Sequence, residues 1–190
     1  QAAQSPHVPL WFGGVSEAAK PVGAKHCDTY ALFGESLGLV KSLMGELDGF
    51  AGEHGRQLKY NLSFRPIIGA TEDAAWKKAR QILESVENAS RPRSKAPEAE
   101  TARRLSSLIE DGEIHDERLW VPIAAAAQGS GNSTALVGTP EQVAEAIAKY
   151  YDLGVAGVLI RGFDPFGDAV EFGKELIPWI RDKVRQRDEA

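Results

Sequence analysis

Short apolar blocks alternate along this chain with longer stretches whose apolar residues recur at helical spacing. Residues 8–12 (VPLWF), 28–33 (DTYALF), 58–68 (LKYNLSFRPII) and 155–161 (VAGVLIR) are compact or alternating apolar runs bounded by turn residues. Each predicts a strand, the first of them a buried one. Helical segments follow them: 16–26 behind Ser16, 37–54 with Gly55 placed to end it, 71–88 behind Thr71, and 164–187 from Asp164-Pro165. Ser16 and Thr71 are good N-caps, and Glu17, Glu72 and Asp73 put negative charge in the first turns. A glycine after a periodic run supplies the left-handed residue that closes a helix. Thr139, Pro140 and Gln142 carry the signature of a capped helix start, and Val143, Ile147 and Tyr150 line one face of that helix.

The rhythm breaks between the third helix and the last strand, over residues of about 89–138. RPRSKAP (91–97) reads as a basic linker and 98–111 as a short helix. Residues 119–138 mix apolar positions with a Gly/Ser/Asn tract expected to be mobile. The resulting order, β-α-β-α-β-α, insertion, α-β-α, implies parallel strands joined by crossover helices. Four strands make a small open sheet, and insertions of this length in compact domains are usually functional or disordered.

Composition narrows the function classes. The chain has 190 residues, 43% hydrophobic and 26% charged, with a net charge of −5. That length supports one domain with a real core, and the scattered basic residues argue against nucleic acid as the main partner. No run approaches the ~18 apolar residues of a membrane helix. The single Cys27 excludes an internal disulfide, fits a reducing cytoplasm, and reads as a buried structural thiol. His7, His26, His54 and His115 lie far apart without metal-ligand spacing, so no metal site is expected. The chain opens on Gln1, which predicts a processed product or a piece of a longer protein.

The candidate chemistry begins where the first strand ends, at Gly13-Gly14-Val15-Ser16. Glycines let backbone approach a ligand, and the free N–H groups of a first helical turn attract anions. This is neither a Walker loop nor a dinucleotide fingerprint, since it lacks both a GKS/GKT end and a third glycine. Two readings stand: an anion cradle, or a tight connection with no ligand.

HVPLWFGGVSEAA, HCDTYALFGES, RPIIGATEDAAWKKA and TALVGTPEQVAEAIAKYYDLGVAGVLIRGFDPFGDAVEFGKELIP together resemble the C-terminal half of the luciferase-like flavin monooxygenases, with alkanesulfonate monooxygenase as the nearest branch. The resemblance implies the last four units of a TIM (β/α)8 barrel with that family's insertion. It implies one partial barrel domain over 1–190, completed by the missing N-terminal half, a second copy in a homo-oligomer, or a partner. It also implies reduced FMN from a separate flavin reductase, O2 as co-substrate, and a small organosulfur substrate. By the same resemblance Gly13, Gly14, Val15 and Ser16 would grip the flavin phosphate and Phe33 would lie near the flavin ring, with ordinary packing as its alternative. Arg65 and Arg161, near the C-terminal ends of their strands, would meet an anionic substrate or instead pair with neighbouring acids. Gln128 falls near the family's mobile-loop arginine.

The chain departs from the alkanesulfonate pattern at three places. Ser63 stands where that branch has an arginine, Arg65 where it has a histidine, and Phe163 where it has a tyrosine. These differences bear on the substrate more than on the flavin. They leave a rival reading: a non-catalytic half-barrel that binds flavin or a phosphorylated ligand, or that assembles with a partner subunit. An unrelated small α/β phosphate-binding domain, with its four strands closed on themselves, is a third.

Overall fold

The computed structural model describes residues 3–5, 7–89, 100–127 and 134–190. Its elements in chain order are β1 (Trp11–Phe12), α1 (Ala19–His26), β2 (Thr29–Phe33), α2 (Leu37–Gly52), β3 (Lys59–Ile68), α3 (Glu72–Ala89), α4 (Glu100–Glu110), β4 (Ile114–His115), β5 (Leu119–Trp120), α5 (Pro122–Ala126), β6 (Ala135–Gly138), α6 (Pro140–Tyr151), β7 (Gly157–Ile160), α7 (Gly167–Glu171), a π-helical turn (Phe172–Leu176) and α8 (Ile177–Asp188).

Four parallel strands form the frame in the order β1-β2-β3-β7. Among the described residues β1 pairs only with β2 and β7 only with β3, so the four do not close on one another. The small self-closed domain is therefore not what the chain builds. Strand β3 is long because it serves two sets of partners. Its first half pairs with β2 and β7, and Arg65–Ile68 pair with β6. Strands β4 and β5 form an antiparallel pair joined to β6.

The sheet's two faces differ sharply because side chains alternate along a strand. Tyr30, Leu32, Tyr60, Leu62 and Phe64 point into the main core, with Phe12, Val158 and Ile160 packed at its edge. Val40, Leu43, Met44 and Leu47 of α2 and Val143, Ala144, Ile147 and Tyr150 of α6 cover them. The opposite face, bearing Trp11, Ala31, Phe33, Asn61, Ser63 and Leu159, carries no helix layer among the described residues. Trp11 is 60% exposed, Leu159 50% and Phe33 42%.

Helix starts follow their predicted chemistry where a cap is present. Thr139 and Gln142 form a reciprocal capping box with Pro140 at the first helical position. The Thr71 hydroxyl accepts the Ala74 N–H at 3.2 Å. Gly55, at φ +63°, ends α2 while Arg56 N–H reaches back to the Ala51 carbonyl.

Four expectations need correction. The strand expected over 8–12 is only two residues long and largely exposed, because it lies at the sheet edge with its apolar side on the uncovered face. The first helix begins at Ala19; Ser16 starts a preceding turn, where its carbonyl accepts from the Ala19 and Lys20 N–H groups. The last helix begins at Gly167 and contains a π-helical turn, which ends just before Pro178, a residue without an N–H to donate. The described parts of 119–138 hold β5, α5 and β6, and they build a second apolar cluster in which Trp120 meets Trp76 edge-on at 5.8 Å. The Gly/Ser/Asn tract at 128–133 lies outside the described residues.

A polar junction ties the β4–β5 turn to two helix starts. The Arg118 guanidinium donates to both Glu72 oxygens, and the Gln142 amide donates to Glu72 at 2.8 Å. These bonds, Arg118 first, hold the Glu72 carboxyl down at about 2. A carboxyl lowered by folding stabilises the native state above its unfolded value, and that contribution is lost as pH falls toward the folded value. Glu72→Gln is therefore expected to flatten the acid limb of stability between about pH 4.5 and 2, measured by urea unfolding across that window. An unchanged acid limb would refute the assignment. No helix among the described residues is long and apolar enough to cross a membrane.

Candidate functional site

The β1–α1 turn and the C-terminal end of β2 meet around a pocket of about 370 Å3, lined by Gly13, Gly14, Val15, Ala31, Leu32, Phe33, Glu35 and Leu43. Four of the predicted residues thus share one wall. Parallel pairing of β1 with β2 brings them together: Phe12 stands opposite Tyr30, so the glycines that follow Phe12 run alongside Ala31 and Leu32. Gly13 fits closely here, since a Cβ on it would sit 3.4 Å from the Ala31 carbonyl oxygen. Gly14 has φ +150°, a conformation that side-chain-bearing residues rarely adopt.

A buried tyrosine orients the turn. The Tyr30 hydroxyl donates to the Gly14 carbonyl at 2.5 Å, and its ring packs edge-on against Phe12 at 5.5 Å. Burial pushes the Tyr30 hydroxyl up to about 12, so it remains a donor. In a trans peptide the C=O and the following N–H point in opposite directions. With the Gly14 carbonyl turned to Tyr30, the Val15 N–H points away from the core. The N–H groups of Val15, Ser16 and Glu17 meet no acceptor among the described residues. Ser16 is exposed beside the pocket wall, and its hydroxyl oxygen accepts the Ala19 N–H at 3.3 Å. Lys20 is buried with its ammonium shared between Glu17, at 2.7 Å, and Glu46, which fastens the turn to α2.

Glu35 forms the pocket's polar corner. It is 6% exposed, and both carboxylate oxygens accept from the Arg104 guanidinium of α4. Its carbonyl accepts from the buried Tyr150 hydroxyl at 2.7 Å. Two residues on, the Leu37 N–H at the start of α2 donates to Asp116 at 2.7 Å. Asp116 and Glu117 both hold positive φ, 47° and 71°, in the β4–β5 turn. The insertion is thus fastened to the end of β2 at two points.

The two predicted arginines lie farther across the uncovered face. Phe33, Ser63 and Leu159 stand opposite one another in adjacent strands. Arg65 lies one step beyond Ser63 on the same side of β3, and Arg161 follows the end of β7. Arg65 is half-buried: it donates to the Gly162 carbonyl at 2.6 Å, and its guanidinium lies 4.9 Å from the Phe163 ring centre. Burial first, and the nearby Arg161 second, pull its pKa below the usual arginine value. Arg161 is exposed, with its backbone N–H bonded to the Phe64 carbonyl. The arginines therefore form a cationic pair, one anchored and one open, beyond Phe33 from the glycine turn. The turn after β7 holds its own anion. Asp168, 6% exposed, accepts from the Phe163 and Asp164 N–H groups at 2.7 and 3.0 Å and from Lys78 at 3.3 Å. Gln128 lies outside the described residues.

Tyr30, Arg104, Asp116 and Asp168 carry no local signal that would have singled them out. Tyr30 looks like any strand tyrosine, and Arg104 meets Glu35 across 69 positions of sequence. Cys27 is buried as expected, and burial raises its thiol pKa.

Residues 1–157 match the family model described as luciferase-like monooxygenase. Among solved structures the chain is similar to a riboflavin lyase, RcaE, crystallised with modified FMN and riboflavin (TM-score 0.69, 21% identity, covering 92% of this chain and 43% of that one). It is similar to a long-chain alkane monooxygenase, LadA (0.63, 19%, 91% and 41%). It is also similar to a coenzyme F420 dependent tetrahydromethanopterin reductase from Methanopyrus kandleri (0.57, 17%, 90% and 50%). The chain spans at most half the length of these proteins. At these identities the likeness establishes the fold: an α/β sheet curled as part of a TIM barrel, with the free face of β1-β2-β3-β7 as its interior. The glycine turn and the arginines then lie at the C-terminal rim, where barrel enzymes keep their chemistry.

Proposed function

The chain belongs to the luciferase-like monooxygenase family, and from that premise we propose that it supplies the flavin-binding rim of a two-component enzyme that uses reduced FMN and O2 to oxidise a small organosulfur substrate of the alkanesulfonate type. The observation that carries this reading is the shared pocket of Gly13, Gly14, Val15 and Phe33 at the C-terminal ends of two adjacent parallel strands.

The residues present suit the group. The N–H groups of Val15, Ser16 and Glu17, without an acceptor among the described residues, match a phosphate; Ala31 and Phe33 offer apolar surface for a flavin ring, and Leu32 and Leu43 close the pocket from the core side. Reduced flavin, when bound, supplies the electrons that activate O2. Around it the chain's own groups do ordinary physical work. Tyr30 holds the Gly14 peptide so that the Val15 N–H faces outward, and Lys20, shared by Glu17 and Glu46, holds the Glu17 side chain in place. Arg65 and Arg161 hold positive charge where an anionic substrate would lie. Arg65 and Phe163 stand where the alkanesulfonate branch has a histidine and a tyrosine, so this chain provides no proton-donating phenol or imidazole at those positions.

In the whole protein, the uncovered row of Trp11, Phe33 and Leu159 is covered by further barrel strands, from a preceding half or a second copy. A separate flavin reductase supplies the reduced FMN. This reading puts the enzyme in the cytoplasm, where the reductase would work and where a free Cys27 stays reduced.

The decisive experiment gives the full-length protein reduced FMN and a series of alkanesulfonates, and follows sulfite release and O2 uptake. Sulfite release is expected. O2 uptake without sulfite removes the substrate class, and no uptake with any substrate removes the enzyme class. Binding of reduced F420 in preference to FMN would reassign the cofactor. A second reading, a half-barrel that holds flavin without oxidising a substrate, is favoured by Phe163 and by the engagement of Arg65 with Gly162. Tight FMN binding with no O2 uptake would select it.

The Tyr30 contact yields a separate prediction. Tyr30→Phe removes the donor to a half-buried carbonyl, a loss of about 1–3 kcal/mol. FMN affinity is expected to fall roughly fivefold, in keeping with the loss of one such bond. Equal affinity, measured by flavin fluorescence, would show that the turn does not need this anchor.

A further inference from the structure

Glu35 poses a problem for an anion pocket. A carboxylate on the pocket wall would repel a phosphate, and one so deeply buried would be costly if left unpaired. Among the described residues, no strand or helix of the barrel frame supplies it with an ion-pair partner. The Tyr150 hydroxyl bonds its backbone carbonyl, not its side chain. The cation comes instead from the insertion: Arg104 of α4 meets both oxygens in a forked pair, the Nε bond measuring 2.9 Å. The Glu35 carboxylate in turn holds Arg104 above its ordinary pKa, so the guanidinium stays charged. The Asp116 bond to the Leu37 N–H fixes the same corner from the β4–β5 turn, so α4 and the hairpin dock together.

We propose that Arg104 sets the charge of the flavin pocket: docking of α4 cancels the Glu35 carboxylate and thereby makes the pocket receptive to the anionic phosphate end of its ligand. This rests on the flavin reading above. Arg104 is a positioning residue that acts through Glu35. Its reach follows from Coulomb's law, because a charge on the wall of a partly buried pocket is poorly screened by water. Linkage makes the effect reciprocal: whatever stabilises α4 against Glu35 favours the anion, and the bound anion favours the docked insertion. The insertion is then more than a cover, because it carries one half of the pocket's electrostatics.

The test compares FMN with riboflavin, which has the same ring and no phosphate, in the intact protein at pH 8. In Arg104→Ala, FMN affinity is expected to fall about tenfold while riboflavin affinity stays within about twofold of the wild type. In Arg104→Ala/Glu35→Gln the unpaired charge is gone, so FMN affinity should return to within about threefold of the wild type. Hydrogen exchange across Glu100–Glu110 should remain faster in both variants. Arg104→Lys keeps the charge without the fork and should retain most of the FMN affinity. Arg104→Gln serves the same comparison if the alanine variant does not fold. Equal loss of FMN and riboflavin, or no recovery in the double variant, would mean that Arg104 only supports shape, and the proposal falls. Wild-type FMN affinity in Arg104→Ala also overturns it while leaving the flavin reading intact. A wild-type protein that binds neither FMN nor riboflavin overturns both.

Discussion

Phe64→Ala is expected to lower the unfolding free energy by about 3–5 kcal/mol, a large share of the roughly 5–15 kcal/mol that a typical domain has. Phe64 is fully buried at the middle of the longest strand, and its ring lies 5.0 Å from that of Tyr150 on α6. Truncation leaves a ring-sized void between a strand and a helix that other contacts hold in place, so the site cannot collapse to fill it. Urea unfolding should show a lower midpoint with an unchanged slope. A loss under about 1 kcal/mol would show that the neighbours relax into the space, and that β3 is not the keystone it looks like.

The second large effect comes from adding atoms. Gly34 follows Phe33 at the end of β2, and a Cβ there would lie 2.0 Å from Phe64 Cε1 and 2.3 Å from Cδ1. The ring cannot retreat without pushing Tyr150, whose hydroxyl holds the Glu35 carbonyl at 2.7 Å. Gly34→Ala is therefore expected to destabilise the chain by about 1–3 kcal/mol and to shift the corner that carries Phe33 and Glu35. FMN binding should weaken with it, since both residues line the pocket. Pairing Gly34→Ala with Phe64→Leu gives the methyl its space. The double variant should be more stable than the sum of its two separate costs implies, because the residues touch. Strict additivity in a thermal or urea experiment would refute the contact as the cause.

The two substitutions probe one structural fact from opposite sides. Gly34, packed against Phe64, and Tyr150, which holds the Glu35 carbonyl, connect the core beneath β2 and β3 to the pocket at the end of β2, so packing and ligand geometry are coupled here. That coupling was invisible in the linear pattern. Residues 28–33 read as a strand, with Phe33 near the flavin ring by resemblance. Nothing within a few residues of Glu35 announces an arginine 69 positions away or a tyrosine 115 positions away.

Local signals performed well where local physics decides the outcome. Thr139-Pro140-Glu141-Gln142 forms a helix start in any context, because its donors and acceptors satisfy each other within four residues. Gly55 closes α2 for a similar reason: a left-handed residue costs glycine little. The β-α alternation specified parallel strands, because a strand followed by a crossover helix has few other ways to return to its sheet. The Gly13-Gly14 turn and its pairing beside Phe33 followed from that order.

The misses share one cause. Residues 8–12 are apolar enough to read as a buried strand, yet burial depends on what lies opposite, and on this face nothing among the described residues does. Residues 135–138 read as part of a loose insertion, yet they pair with Arg65–Ile68 once β3 extends past the ends of β2 and β7. Arg65 read as an anion contact or as the partner of a neighbouring acid, and neither reading named the Gly162 carbonyl and Phe163 ring, which come within its reach because β7 docks beside β3. Periodicity, caps and turn residues are encoded over three to four positions, so the amino-acid order sufficed for the four frame strands, their direction, the helices between them and the family they compose. Which carboxylate meets which guanidinium, which face stays bare and which carbonyl a tyrosine holds are settled by contacts across tens of residues. Those exist only when the chain has folded and charges far apart in sequence are brought out of water together.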